Sequence, residues 1–136
     1  MTGKISTRAE WIKNDVVDIL RGGVGDLGGL TPLMKVAHLA ESFNMAMEVH
    51  GGKEGNLHAL GSMRLPGEFY ERGLLHPHVD YEKPPDYLHE IMDPMDEEGF
   101  IHMPKGDGLG WKINHDYIND NLISGNDNKE KARRSY

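Results

Sequence analysis

Apolar and polar positions along this chain change period several times, and each change marks an element. Residues 6–13 carry Ala9, Trp11 and Ile12 on one side, with Ser6 placed to cap, which predicts a short helix. Asn14 and Asp15 break it. Val16–Leu20 is a short β-branched run without alternation, the pattern of a strand covered on both faces in a parallel sheet. Thr31 and Pro32 predict the cap and first position of a second helix. Its Leu33, Val36, Ala37, Ala40 and Phe43 recur at helical spacing and form one apolar face. Asn44 predicts a left-handed stop. Met45–Val49 predicts the next strand, with His50 at its C-terminal end, followed by Gly51 and Gly52. Residues 16–50 thus read as a parallel βαβ unit with a glycine-rich turn.

Beyond this unit the pattern weakens. Residues 55–63 predict a helical turn with Leu57, Leu60 and Gly61 inward, and residues 68–71 a third short strand. Residues 76–85 are interrupted by prolines and read as extended. Residues 100–104 predict an edge strand and residues 116–123 a terminal helix. Residues 124–136 are polar and charged, with almost nothing to bury, and are predicted to be disordered. Met34, Met45, Met47 and Met63 read as core filler. The order β, α, β, short α, β is that of a piece of an α/β fold.

Composition narrows the function classes. At 136 residues the chain makes at most one ordinary domain. A net charge of −7 and a pI near 5.5 argue against a nucleic-acid partner. No apolar run is long enough for a membrane span, and the first residues lack the apolar core of a signal peptide. The absence of cysteine excludes disulfides and thiolate metal sites and suits a cytoplasmic protein.

Two stretches carry candidate chemistry. Gly23, Gly25 and Gly28 form a G-x-G-x-x-G pattern after a strand, and Glu48 lies about 20 residues further on, as in a dinucleotide-binding βαβ module. Against that module, the helix signals Thr31 and Pro32 lie past the last glycine, so the turn is too long for the helix N-terminus to meet a pyrophosphate. Glycines that merely shape a loop are a further reading. The second candidate is His50, a histidine at a strand end, either structural or catalytic. Glu48, two residues before it, shares its face of the strand. His76 and His78 read as a metal pair or as a surface loop. His38 and His58 read as surface or packing residues, and Asp96, Glu97 and Glu98 as a solvated acidic turn.

The turn at Gly28, Gly29, Leu30 and Thr31, the helix after it and the strand ending at His50 together resemble the mandelate racemase/muconate lactonizing branch of the enolase superfamily. Residues 69–72 resemble the end of that family's last barrel strand, and residues 103–110 its tail, with Asp107 where proline is usual. The resemblance covers residues 3–123 and implies the C-terminal portion, about the last three strands, of a (β/α)7β TIM-like barrel, incomplete on its own. Residues 1–75 would be the last βα units, residues 76–123 a segment packing back on the barrel or capping domain, and residues 124–136 a tail.

The resemblance also implies chemistry. The family removes a proton α to a carboxylate, and Mg2+ stabilises the enediolate. His50 matches its catalytic histidine, and Glu71 matches a carboxyl group that binds the substrate carboxylate and, if protonated, supports the enediolate. Such a role needs a raised pKa. The aspartate that usually supports the histidine is replaced by Gly23, with Asp26 a possible substitute from the loop. His50 therefore has no expected orienting carboxylate, which favours an acid role in sugar-acid dehydration over racemisation or epimerisation. The metal carboxylates are expected upstream of Met1, so none is expected in this chain. The implied partners are a small-molecule carboxylate substrate and the missing capping and barrel segments or a second copy of the chain.

Overall fold

The computed structural model describes residues 4–52, 55–72 and 83–123. The readings of His76, His78 and residues 124–136 lie outside these residues. The chain opens with helix α1 (Ile5–Lys13). Ser6 lies inside this helix rather than capping it, because Lys4 occupies the cap position and offers no side-chain bond. Asn14 closes the helix, and Asp15 follows in the left-handed region at φ 53°.

The first strand is not where the apolar run placed it. The Val16 N–H turns back to the Trp11 carbonyl at 3.1 Å, which continues the helix end. Val16 and Ile19 are 67% and 47% exposed. Pairing starts only at Leu20, whose N–H reaches the Ala46 carbonyl at 3.3 Å. Strand β1 is therefore Leu20–Gly22, and it runs parallel to β2 (Met47–Val49), with Leu20 opposite Met47, Arg21 opposite Glu48 and Gly22 opposite Val49.

Between the strands lie two helices rather than one. α2 (Val24–Leu27) starts inside the glycine pattern and ends at Gly28, in the left-handed region at φ 80°. α3 (Leu30–Ser42) begins one residue earlier than Thr31, with Gly29 at its cap position and no side-chain cap. Pro32 is then the third helical residue, still within the turn whose N–H groups have no helical partner, so its missing donor costs nothing. Leu33, Val36, Ala37 and Ala40 are buried and form the core with Leu20, Leu27, Met47 and Ala59. Phe43 leaves this face as the C-cap and is 60% exposed. Asn44 takes the left-handed conformation at φ 53°. Met47 is buried in the core, and Met34, Met45 and Met63 pack against it.

α4 (Asn56–Ser62) turns Asn56 and Ala59 inward, while Gly61 is exposed. The third strand expected at residues 68–71 is instead one parallel bridge between Met47 and Pro66. Its bonds run from Met47 N–H to the Leu65 carbonyl at 3.3 Å and from Gly67 N–H to the Met47 carbonyl at 2.8 Å. Both bypass the proline nitrogen. A Cβ at Gly67 would stand 2.8 Å from Glu48 Cγ, so this close approach requires glycine.

Residues 83–123 hold the isolated antiparallel bridges Leu88–Ile113 and Met95–Ile101 in place of an edge strand, then α5 (His115–Asp120), capped by Asn114. In the acidic turn Asp96 is structural, accepting from the Glu98 and Phe100 N–H groups at 3.0 and 2.8 Å. No helix among the described residues is long and apolar enough to cross a membrane.

Candidate active site

Parallel strands deliver their C-terminal ends to one edge of the sheet, and functional groups gather there. His50 follows β2 directly, and its N–H reaches the Gly22 carbonyl at the end of β1 at 2.9 Å. Buried Asn56 fixes the backbone beneath it. Its amide donates to the His50 and Gly51 carbonyls at 3.1 and 3.0 Å, and its oxygen accepts the Val24 N–H at 2.8 Å. One side chain thereby joins the end of β2 to the first turn of α2. Gly23 has no side chain with which to cap α2, and Asn56 supplies that bond from α4.

The side chain of His50 meets Glu71, with Nδ1 3.0 Å from Oε2. Glu71 Oε2 also accepts the Gly51 N–H at 2.8 Å and a bond from the Arg21 guanidinium. The side chains of His50 and Glu71 are 34% and 30% exposed, so the pair is sheltered yet reachable. The Gly51 N–H lowers the Glu71 carboxyl most, burial opposes it, and the Arg21 and His50 bonds lower it further, which together hold it below the usual carboxylate range. The raised pKa required of a protonated Glu71 is thus opposed by the donors around it, and Glu71 is a carboxylate at neutral pH. Contrary to the expectation that no carboxylate faces His50, the Glu71 carboxylate lies 3.0 Å from its Nδ1.

Gly23 does not merely lack a carboxylate. A Cβ there would stand 2.4 Å from the His50 carbonyl oxygen, closer than any side chain tolerates. Asp26 does not substitute for it. It lies on α2, where its charge favours the cationic form of Arg8, and it makes no hydrogen bond to His50. Arg8 is buried and donates to the Arg21 carbonyl at 3.1 Å, and burial lowers its pKa against that effect of Asp26. Glu48 stands opposite Arg21 in the register but outside the His50–Glu71 contact, its stem covered by Gly67. Within the glycine pattern, the Val24 N–H is already bonded to Asn56.

Sequence reasoning missed three contributors. Arg21 reaches Glu71 across 50 positions, and its only sequence signal is a basic residue just before a glycine pair at a strand end. Asn56 had no signal beyond its place at a helix start. Asp93 is 2% exposed and accepts from Tyr70 Oη at 2.9 Å, which fastens the residue before Glu71. Among the described residues, no group of three His, Asp or Glu side chains could hold a metal ion, so these residues do not fit the Mg2+ that the resemblance implies.

The fold and site define an α/β protein with a histidine at the C-terminal end of a parallel strand, in contact with a carboxylate. The chain belongs to the Enolase C-terminal domain-like family, whose model matches residues 2–117. Its fold is similar to that of an isomerase from Streptomyces coelicolor A3(2), with a TM-score of 0.63 and 23% identity over 82% of this chain. The match spans 30% of that isomerase, and at this identity it speaks for the fold alone.

Proposed function

We propose that this chain carries the acid–base histidine of an enolase-superfamily enzyme acting on a hydroxy acid. His50 exchanges a proton with the carbon α to the substrate carboxylate through Nε2. The observation that supports this most is the Nδ1–Glu71 contact of 3.0 Å at the end of a parallel strand. A carboxylate on one ring nitrogen fixes the tautomer and stabilises the imidazolium that forms when the other nitrogen takes a proton. That leaves Nε2 of His50 as the nitrogen that takes the proton, so racemisation or epimerisation is the preferred reading. Dehydration of a sugar acid, with His50 delivering a proton to the departing β-hydroxyl, is the second reading, supported by the sequence resemblance. The chain would supply the last βα units of the barrel. The remaining strands, the capping domain and the carboxylates for Mg2+ would come from outside it, in a cytoplasmic assembly.

The test is a panel of aldonic and aldaric acids in D2O, using the assembly that completes the barrel. Deuterium at the α-carbon with no loss of water is the expected result. A 3-deoxy-2-keto acid product would favour dehydration, and undiminished turnover by His50→Asn would overturn both readings.

A further inference from the structure

The family pattern places the histidine's supporting carboxylate at Gly23, where this backbone has no room for one. The His50 carbonyl would meet a Cβ at 2.4 Å, and Asn56 holds that carbonyl in place at 3.1 Å. Across the site, a different carboxylate touches the ring. Glu71 Oε2 lies 3.0 Å from His50 Nδ1, and the same oxygen accepts the Gly51 N–H at 2.8 Å and the Arg21 guanidinium. A carboxylate surrounded by donors is itself only an acceptor, so the ring nitrogen facing it must carry the hydrogen. Nε2 is then the basic nitrogen of the neutral ring.

Glu71 is not held by these bonds alone. Tyr70 Oη donates to the buried Asp93 at 2.9 Å, and Arg72 Nε lies 4.0 Å from the other Asp93 oxygen. Asp93, from the C-terminal segment, thus holds Tyr70 by a hydrogen bond and faces Arg72 as a buried ion pair, on either side of Glu71. Gly52 makes that anchor possible, because a Cβ there would stand 2.8 Å from Asp93 Oδ2.

We propose that Glu71 is the positioning residue of His50: its carboxylate holds the imidazole Nδ1–H and leaves Nε2 to exchange the proton, in place of an aspartate that Gly23 sterically excludes. This rests on the reading of His50 as the acid–base residue. It assigns Glu71 to the histidine rather than to the substrate carboxylate, and it makes Asp93 the fixture that sets where Glu71 stands.

Long-range 1H–15N correlation spectra of the 15N-histidine-labelled chain within the assembly that completes the barrel test this without turnover, at about pH 8, where an ordinary imidazole is neutral. His50→Gln assigns the resonance. The expected wild-type spectrum shows His50 as the Nδ1–H tautomer. Glu71→Ala should lose that signal in favour of Nε2–H, while Glu71→Gln, which keeps an acceptor oxygen, should retain it. Gly23→Asp added to Glu71→Ala should not restore it. An Nε2–H tautomer in wild type overturns the proposal whether or not the variants fold, as does an Nδ1–H tautomer that survives Glu71→Ala or returns with Gly23→Asp. If the tautomer follows Glu71 while His50→Asn leaves turnover of the complete assembly intact, the positioning stands and the catalytic reading fails.

Discussion

Asn56 uses its whole amide where it is buried, with both bonds from its nitrogen and the bond to its oxygen made within the chain. Asn56→Ala should therefore cost about 1–3 kcal/mol, since it leaves the His50 and Gly51 carbonyls and the Val24 N–H without that partner. Urea unfolding of the two proteins measures it, and an unchanged midpoint would show that water replaces the amide. Gly23→Ala should also destabilise, by more than about 1 kcal/mol, because the new methyl meets a backbone oxygen rather than a flexible side chain. At Glu71 the effect depends on pH. Its folded pKa is lowered, so its stabilisation is fully present above the unfolded value of about 4.3 and is lost as pH falls through the lower folded value. The stability difference between wild type and Glu71→Gln should be constant above about pH 5 and shrink on further acidification. A difference that widens in acid would contradict the direction of the shift.

At the scale of elements, α3 is the clearest consequence of sequence. Leu33, Val36, Ala37 and Ala40 recur at helical spacing and are the residues it buries. Leu33 is fully buried, so Leu33→Ala should cost about 2–5 kcal/mol in the same unfolding assay. The stop at Asn44 and the strand before His50 were also legible, because both are set by local conformational preference. β1 was not. Its start depends on the Val16 N–H closing the helix and on where the Ala46 carbonyl stands, which is tertiary information. The pairing after α4 was misplaced for a similar reason. It settles at Pro66, where glycine at 67 permits backbone approach, and passes over the β-like residues of 68–71. His50 was visible through its place after a strand and through resemblance. Its contact with Glu71 spans 21 positions and Glu71 itself lies outside any helix or strand, so no periodicity could announce it.

For the whole molecule, the sheet and its exposed apolar side chains bear on the proposed reading of the chain as part of a barrel. β1 and β2 pair only with each other as strands among the described residues. Val16 and Ile19 just before β1 and Phe69 just after the Pro66 bridge are exposed, Phe69 by 75%. Among the described residues no strand pairs with the outer edge of β1, and such an edge invites further pairing. On the proposed reading, the isolated chain is expected to self-associate in size-exclusion chromatography and to bind an apolar dye, and co-expression with the barrel strands which that reading supplies from outside should abolish both. A sharp monomer peak without dye binding would contradict this. The exposed ion pairs Arg64–Glu41 and Lys112–Glu90 offset little of such a deficit, since surface pairs contribute about 0–1 kcal/mol each.

The central claim is that His50 moves the substrate proton, and solvent-deuterium exchange tests it most directly. In the completed assembly, with a hydroxy acid that the enzyme turns over, wild type should place deuterium at the α-carbon. His50→Asn should lose that exchange by at least about 100-fold, the range typical of a removed general base. Exchange at the wild-type rate in His50→Asn would contradict the account.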